Sequence, residues 1–327
     1  MLTVVLNPKA RRCPSNIEAG AGLRVAKAAG PGSEIRITRT LDELDQLLTE
    51  ISDRTVGEPG TVCFYGGDGS VGRGLTAWVR ARGEELEIPP LLAVRGGTIN
   101  FLSSWLGIRG RPERTLSLWR EGGMAQLRTV PTLRVDLGPA GVHYGFVLVW
   151  GVGERVLRRY YSRSEQPGFW DASLVAAQTV LRALTGRDRE LFARSHLGLQ
   201  VEGGIQAGTQ SPPRTEPGAL SLLAGTVPRL SLGIRPLPRG EVQPNRFHVS
   251  VNRMEPRDLA RHGLTLLAGR GESSALAPLG LFESSSAESL EATLDGGISL
   301  DGELFALPEP TRVRVTAGPS VRFWVPS

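Results

Sequence analysis

The sequence has almost no lysine. Of its 38 basic residues only Lys9 and Lys27 are lysines; the others are arginines. A GC-rich coding bias produces such a skew. It also supplies guanidinium groups, which grip phosphate in a two-pronged way. Cysteine is as scarce. Cys13 and Cys63 are too few for a disulfide framework and suit a reducing compartment. The four histidines, His143, His196, His248 and His262, are widely separated and lack metal-ligand spacing. No apolar run approaches the roughly 20 residues of a membrane helix, which argues against an integral membrane protein. Leu2–Leu6 is too short for a signal peptide, and Arg11-Arg12 is followed by Cys-Pro-Ser-Asn rather than by an apolar leader. Neither the GxSxG of serine hydrolases nor the GxxxxGK[ST] of P-loop enzymes occurs.

What is present is ordinary globular material. The chain has 327 residues, 40% hydrophobic and 22% charged, enough for about two domains. Its formal net charge is +5. The bases are interleaved with acids, and no zinc finger, RNP motif or basic tail appears, so no nucleic-acid partner is expected. An anionic membrane surface or a phosphorylated substrate suits the charge equally well.

The first 130 residues alternate strand-like and helix-like segments. Leu2–Leu6, Glu34–Thr38, Thr61–Tyr65 and Leu91–Val94 read as strands. Residues 15–29, 41–51, 71–82, 99–107 and 112–121 read as helices. The Leu41–Ile51 stretch is the clearest, with Leu41, Leu44, Leu47, Leu48 and Ile51 on one face. Alternation of this kind predicts a parallel sheet covered by helices, an α/β domain over residues 1–125. Beyond it the texture changes. Gln126–Leu137 and Val142–Trp150 read as strands, about 171–185 as a helix. Short apolar runs then follow at 220–223, 230–234, 246–251, 264–267, 290–294, 297–300, 311–316 and 320–325. Those runs predict a β-sandwich domain over residues 126–310, with 311–327 returning to the first domain. Gly203–Gly218 and Gly269–Ser289 read as mobile segments.

Four sequence elements bear on chemistry. Tyr65-Gly66-Gly67-Asp68-Gly69-Ser70 lies between a strand and a helix. Glycines there let backbone approach a ligand, and the N–H groups at the helix start favour phosphate oxygens. A carboxylate among phosphates implies an intervening cation, so Asp68 suggests Mg²⁺; an ordinary glycine turn with Asp68 as a helix cap is the alternative. Arg95-Gly96-Gly97-Thr98-Ile99-Asn100 repeats the pattern about thirty residues later, and two such turns on adjacent strands would form one crevice. Asn7-Pro8 would line its edge, with Lys9, Arg11 and Arg12 either reaching phosphates or forming a solvated loop. Asp301-Gly302-Glu303 brings two carboxylates close: a hairpin turn, or a base for phosphoryl transfer. Val152–Arg163 sets Arg155, Arg158, Arg159 and Arg163 around Tyr160 and Tyr161, which suits a membrane surface or a solvated helix face or strand edge.

In this order the elements resemble the bacterial diacylglycerol kinase-like lipid kinases, a family that includes sphingosine and ceramide kinases and is related to NAD kinases and phosphofructokinases. The resemblance rests on NP at 7–8, GGDGS at 66–70, GTIN at 97–100, DGE at 301–303, Tyr144-Gly145-Phe146 to Gly153, and the tail from Ser299. It implies a nucleotide-binding α/β domain, a C-terminal β-sandwich and an active site in the cleft between them. It further implies that Gly66, Gly67, Asp68, Gly69 and Ser70 hold ATP phosphates and Mg²⁺, with Asp68 the metal ligand. Asn7, Thr38, Gly97, Thr98 and Asn100 would contact the nucleotide. Asp301 would be the general base, Glu303 its acidic neighbour and Asp68 the third catalytic acid. The expected enzyme is cytoplasmic and peripherally membrane-associated, acting on a diacylglycerol-like or sphingoid lipid at an anionic surface; a homodimer is compatible with this.

Three departures stand out. Ala10-Arg11 follow Asn-Pro where the family usually has a glycine, Ser70 replaces threonine, and Phe101 stands where many members have an aspartate. Two alternatives stay open: a kinase of NAD or a sugar phosphate, since GGDGS is a form that phosphofructokinases also use although Phe101 leaves no acid after Asn100, and an inactive nucleotide- or lipid-binding regulator, which Phe101 and the altered first loop would suit.

Overall fold

The computed structural model describes residues 1–8, 13, 20–54, 60–85, 87–97, 100–163, 169–195, 197–203, 205–206, 218–230, 234–238, 245–271 and 281–327. Two compact units divide the chain. The first comprises Met1–Thr132, His143–Gly145 and Gly318–Ser327; the second comprises Leu133–Val142 and Phe146–Ala317.

The first unit is built on three parallel strands in the order β2-β1-β3: β1 (Leu2–Leu6), β2 (Glu34–Ile37) and β3 (Thr61–Tyr65). All five residues of β1 and of β3 are buried, as the unbroken apolar runs of a sheet covered on both faces require. Around it lie α1 (Ala21–Ala29), α2 (Leu41–Arg54), α3 (Asp68–Arg82), α4 (Phe101–Trp105) and α5 (Pro112–Arg120). Helix α2 buries Leu44, Leu47, Leu48 and Ile51 but leaves Leu41 half exposed. Residues 14–19 of the expected first helix lie outside the described residues. Leu91–Val94 is buried, yet only Leu91 joins a ladder, bridging Val62 on one side and Phe323 on the other. Pro89 and Pro90 precede it, and proline has no N–H to give a ladder.

The second unit is antiparallel. Its strands are β4 (Gln126–Asp136), β5 (Val142–Gly145), β6 (Val147–Gly151), β7 (Gly198–Glu202), β8 (Ile205–Gln206), β9 (Ser221–Gly225), β10 (Phe247–Asn252), β11 (Phe282–Ala287), β12 (Ser289–Leu300) and β13 (Glu303–Val325). The early residues of β4, the last three of β5 and the end of β13 count with the first unit. From β4 the order runs β4-β13-β12-β6-β9-β10-β11-β8, with β7 pairing β12 off this path. One apolar core draws on strands as far apart as β4 and β10, including Leu133, Trp150, Val249, Leu290 and Val315. Helices α6 (Val152–Tyr161), α7 (Phe169–Thr185) and α8 (Pro256–Leu267) complete the unit.

Several runs resolve differently from their sequence pattern. The 290–294 and 297–300 runs are one strand interrupted by a bulge between Leu294 and Gly296. The 311–316 and 320–325 runs are likewise both within β13. The 264–267 run is the end of α8; four apolar residues in a row do not distinguish a strand from a helix end. Phe282–Ala287, within the stretch expected to be mobile, is a strand because β10 pairs it over its full length. Residues 231–233, 272–280, 204 and 207–217 lie outside the described residues. Among the described residues, no helix is long and apolar enough to cross a membrane.

Candidate active site

The register of the parallel sheet gathers the first group of site residues. Leu6 stands opposite Ile37 on one side and Tyr65 on the other, so the residues that follow each strand emerge side by side. The Asn7 amide N–H donates to the Tyr65 carbonyl at 3.3 Å, and that of Thr38 to Leu6 at 3.0 Å. Asn7 Nδ2 reaches Ser70 Oγ at 3.2 Å. A small pocket of about 70 Å³, partly open to solvent, is lined by Asn7, Thr38, Ser70, Phe64, Arg39 and Arg73, among others. Sequence reasoning missed Arg39 and Arg73. The only signal for Arg73 was its position three residues after Ser70, one helical turn along α3.

The two glycine turns meet each other. Gly96 N–H donates to the Gly66 carbonyl at 2.9 Å. A Cβ on Gly97 would stand 2.4 Å from the Gly67 Cα, and one on Gly67 would stand 2.8 Å from the Gly97 Cα. Neither glycine has positive φ; close backbone approach is what excludes a side chain. With Gly67 as its N-cap, α3 begins at Asp68, and its first N–H groups are unpaired within the helix, as at any helix start.

Asp68 ties these turns together. It is buried, and its Oδ2 accepts the Phe101 amide N–H at 2.8 Å while Oδ1 accepts that of Leu102 at 3.1 Å. It thereby caps the start of α4 from outside the helix. Burial pushes its carboxyl up to about 6, while backbone hydrogen bonds from Phe101, Leu102 and Asp68 itself, and nearby Arg95, pull the other way. Asn100 has a left-handed backbone (φ 52°), and its amide closes on Gly97: Oδ1 accepts the Gly97 N–H at 2.9 Å and Nδ2 donates to the Gly97 carbonyl at 2.6 Å. Phe101 is buried, so the apolar ring fills space where a carboxylate would need a partner. Gly69 lies in the first turn of α3. Thr98, Lys9, Arg11 and Arg12 lie outside the described residues.

In the second unit, Asp301-Gly302 is the two-residue turn joining β12 to β13, with Leu300 opposite Glu303. Both turn residues have positive φ, 53° and 87°, the mark of a hairpin turn that matches strand twist. The hairpin also orients a carboxylate. Asp301 is buried, and its Oδ1 accepts the N–H groups of Phe146 at 2.9 Å and Val147 at 2.8 Å, with Oδ2 at 3.1 Å from the former. These backbone donors carried no sequence signal beyond the Tyr144-Gly145-Phe146 segment. Glu303 is half-buried at the start of β13.

The basic segment 152–163 is mostly α6, and its cations are engaged. Arg158 pairs with Glu154, Arg159 with Asp188, and Arg163 with Asp171, while Arg155 donates to the carbonyls of Leu191 and Ala193. Tyr160 is buried. Among the described residues, no three of His, Cys, Asp and Glu cluster as metal ligands. His248 is buried against Ser284, and His196 lies outside the described residues.

Residues 1–131 match the family model described as the diacylglycerol kinase catalytic domain. Over those residues the chain is similar to that family. No curated protein matches the chain significantly. Among solved structures, a Bacillus anthracis str. Sterne protein provisionally assigned as a diacylglycerol kinase superposes with a TM-score of 0.65 at 17% identity, covering 99% of this chain and 95% of its own. A diacylglycerol kinase structure from the same strain gives 0.58 at 15%, covering 99% and 96%. At these identities the likeness establishes the fold: an α/β domain with a parallel sheet, followed by an antiparallel β-rich region. All the pocket residues named above, and both glycine turns, fall within the matched kinase domain.

Proposed function

We propose that this protein is an ATP-dependent lipid kinase that transfers the γ-phosphate to the hydroxyl of a diacylglycerol-like or sphingoid lipid. The observation that carries the reading is the pocket at the carboxyl ends of β1 and β2, inside a kinase-family domain. There Asn7, Thr38 and Ser70 come together beside the start of α3, with two arginines on the lining. Arg39 and Arg73 would neutralise phosphate, and the helix start would add N–H donors. Phosphoryl transfer needs little else from a protein than positioning and charge neutralisation.

A magnesium ion fits this donor set as a single-carboxylate guest. The Asp68 carboxylate accepts the N–H groups of Phe101 and Leu102 and its own backbone N–H, which leaves lone-pair capacity for one further contact, and magnesium held by phosphates and water needs only one or two carboxylates. When bound, the ion would neutralise phosphate charge. Asp301 would take the proton of the lipid hydroxyl, its carboxylate held in one orientation by two backbone donors. Such an enzyme would work at an anionic membrane surface.

The test follows label from γ-labelled ATP with detergent-dispersed diacylglycerol and sphingosine, set against NAD and fructose 6-phosphate. Labelled lipid supports the reading; labelled NAD or sugar phosphate overturns it. ATP binding with no transfer to any acceptor also overturns it and favours a regulator, which Phe101 in place of an acid would suit. Asp301→Asn tests the base. Asparagine tolerates positive φ and keeps an oxygen for the N–H groups, so the variant should fold and lose turnover.

A further inference from the structure

Helix α7 is apolar on two sides. Val175 and Ala183 are buried, the latter in a small core with Val152, Leu191, Phe192 and Leu220. Leu174, Ala177, Leu181 and Leu184 recur at i, i+3, i+7 and i+10 on another face and are exposed; Leu181 is 62% exposed. Val180, also exposed, borders them. The stripe runs about 15 Å. A helix on the surface of a soluble domain ordinarily has one apolar face, and it points inward.

The C-terminal end of this stripe is rich in arginine. Arg159 and Arg182 both close on Asp188, and Arg187 and Arg189 flank it in the turn. A guanidinium nitrogen of Arg257, at the start of α8, lies 3.9 Å from where a Cβ on Gly186 would stand. Against these five arginines stand Asp188 and Glu190, and beside Arg257 lie Glu255 and Asp258, which pair with two further arginines, Arg194 and Arg261. Helix α8 repeats the pairing of charge and apolar surface: Arg257, Arg261 and Leu264 follow one another along an exposed face, Leu264 being 83% exposed. Asp258, beside them, is paired with Arg261 at 3.5 Å.

The geometry points to α7, with the exposed face of α8, as the surface by which this protein docks on an anionic lipid bilayer. Leucines enter the acyl boundary while guanidinium groups stay at the level of the lipid phosphates. A second copy of the chain is the poorer occupant, because a two-fold contact would set the same arginine excess against itself. The inference rests on the lipid-kinase reading for its purpose, since a bilayer is where such a substrate resides; the surface itself is read from α7 and α8.

The experiment uses the full chain with sucrose-loaded vesicles of phosphatidylcholine alone or mixed equally with phosphatidylglycerol. The wild type should sediment with the anionic vesicles, less with neutral ones, and be released by salt. Leu181→Gln with Leu184→Gln should cut partitioning by about tenfold or more at unchanged thermal stability, because both leucines leave the membrane. Arg187→Glu with Arg189→Glu should weaken binding to anionic vesicles only. Wild-type partitioning by the leucine variant, or none by the wild type, overturns the inference. So does a dimer, seen by sedimentation velocity, that the leucine variant dissociates while vesicle binding is unchanged. A monomeric short-chain lipid separates docking from chemistry. If the leucine variant phosphorylates it normally but fails on vesicle lipid, docking is upheld. If the wild type binds vesicles and phosphorylates neither, docking is upheld and the kinase reading fails.

Discussion

Replacing Gly97 by alanine puts the contact between the two glycine turns under direct strain. The added Cβ would stand 2.4 Å from the Gly67 Cα, whereas carbon atoms in contact sit about 3.5–4.0 Å apart. The obstructing atom is backbone, so no rotamer relieves it, and the turns must separate by about 1 Å or more. That displacement would break the 2.9 Å hydrogen bond from Gly96 N–H to the Gly66 carbonyl, a loss of about 1 kcal/mol. Overpacking adds about 1–3 kcal/mol. The sum, about 2–4 kcal/mol, should lower the melting temperature by roughly 4–16 °C for a unit of this size. Because Gly67 is the N-cap of α3 and Ser70 lines the pocket, nucleotide affinity should fall as well. Thermal unfolding and titration with a fluorescent ATP analogue read the two effects. Gly263→Ala is the control: nothing lies within 4 Å of its Cβ position in α8, and alanine should stabilise the helix by about 0.5–1 kcal/mol. If Gly97→Ala melts and binds nucleotide like the wild type, the contact has no structural role and the reasoning fails.

Other perturbations probe the buried acid and its neighbour. Asp68 moves from 3.8 to about 6 on folding, so the folded chain holds the extra proton in that window. Stability should therefore rise as pH falls from about 7 to about 4, by up to about 3 kcal/mol from this group. Urea unfolding of the wild type against Asp68→Asn at several pH values isolates the effect; parallel curves would contradict it. Phe101→Asp, which restores the acid common in the resembling family, should cost about 3–5 kcal/mol through the lost buried ring and a second carboxylate near Asp68. A stable Phe101→Asp variant with raised turnover would show the site to be roomier than its packing. Asp68→Ala should both lower lipid phosphorylation and destabilise α4, since the Phe101 and Leu102 N–H groups would lose their acceptor. Hydrogen exchange over residues 100–106 checks this, and unchanged protection would argue against the capping role.

Much of the first unit was legible in the sequence because its signals are local. Buried parallel strands are short unbroken apolar runs, and Leu2–Leu6 and Thr61–Tyr65 are such runs. Helix α2 declares itself by period. The glycine pairs at 66–67 and 96–97 mark tight turns, although their spacing could not reveal that Gly67, Gly96 and Gly97 have no room for a side chain because the other turn lies against them. The second unit was less legible. Strand β13 contains three prolines yet runs through 23 residues, and β11 reads as a serine-rich loop until β10 supplies a partner. Pairing between segments distant in sequence decides such strands, and a window of residues does not contain it.

The sequence by itself determined which residues carry charge and where the glycine turns lie, because those properties belong to single side chains and their nearest neighbours; that Gly67 and Gly97 must be glycine was decided by the approach of one turn to the other. Tertiary structure decided how each acid is used. Asp68 could have been a free ligand or a cap, and only the approach of α4 gives its oxygens two N–H donors. Asp301 could have been a bare hairpin residue, and only the start of β6 fixes its carboxylate. The arginines of α6 looked available and are engaged, while Leu174, Leu181 and Leu184 of α7, which sequence alone did not assign to a face, are exposed. Which face of a helix meets the core depends on what packs against it, and that is settled by the fold.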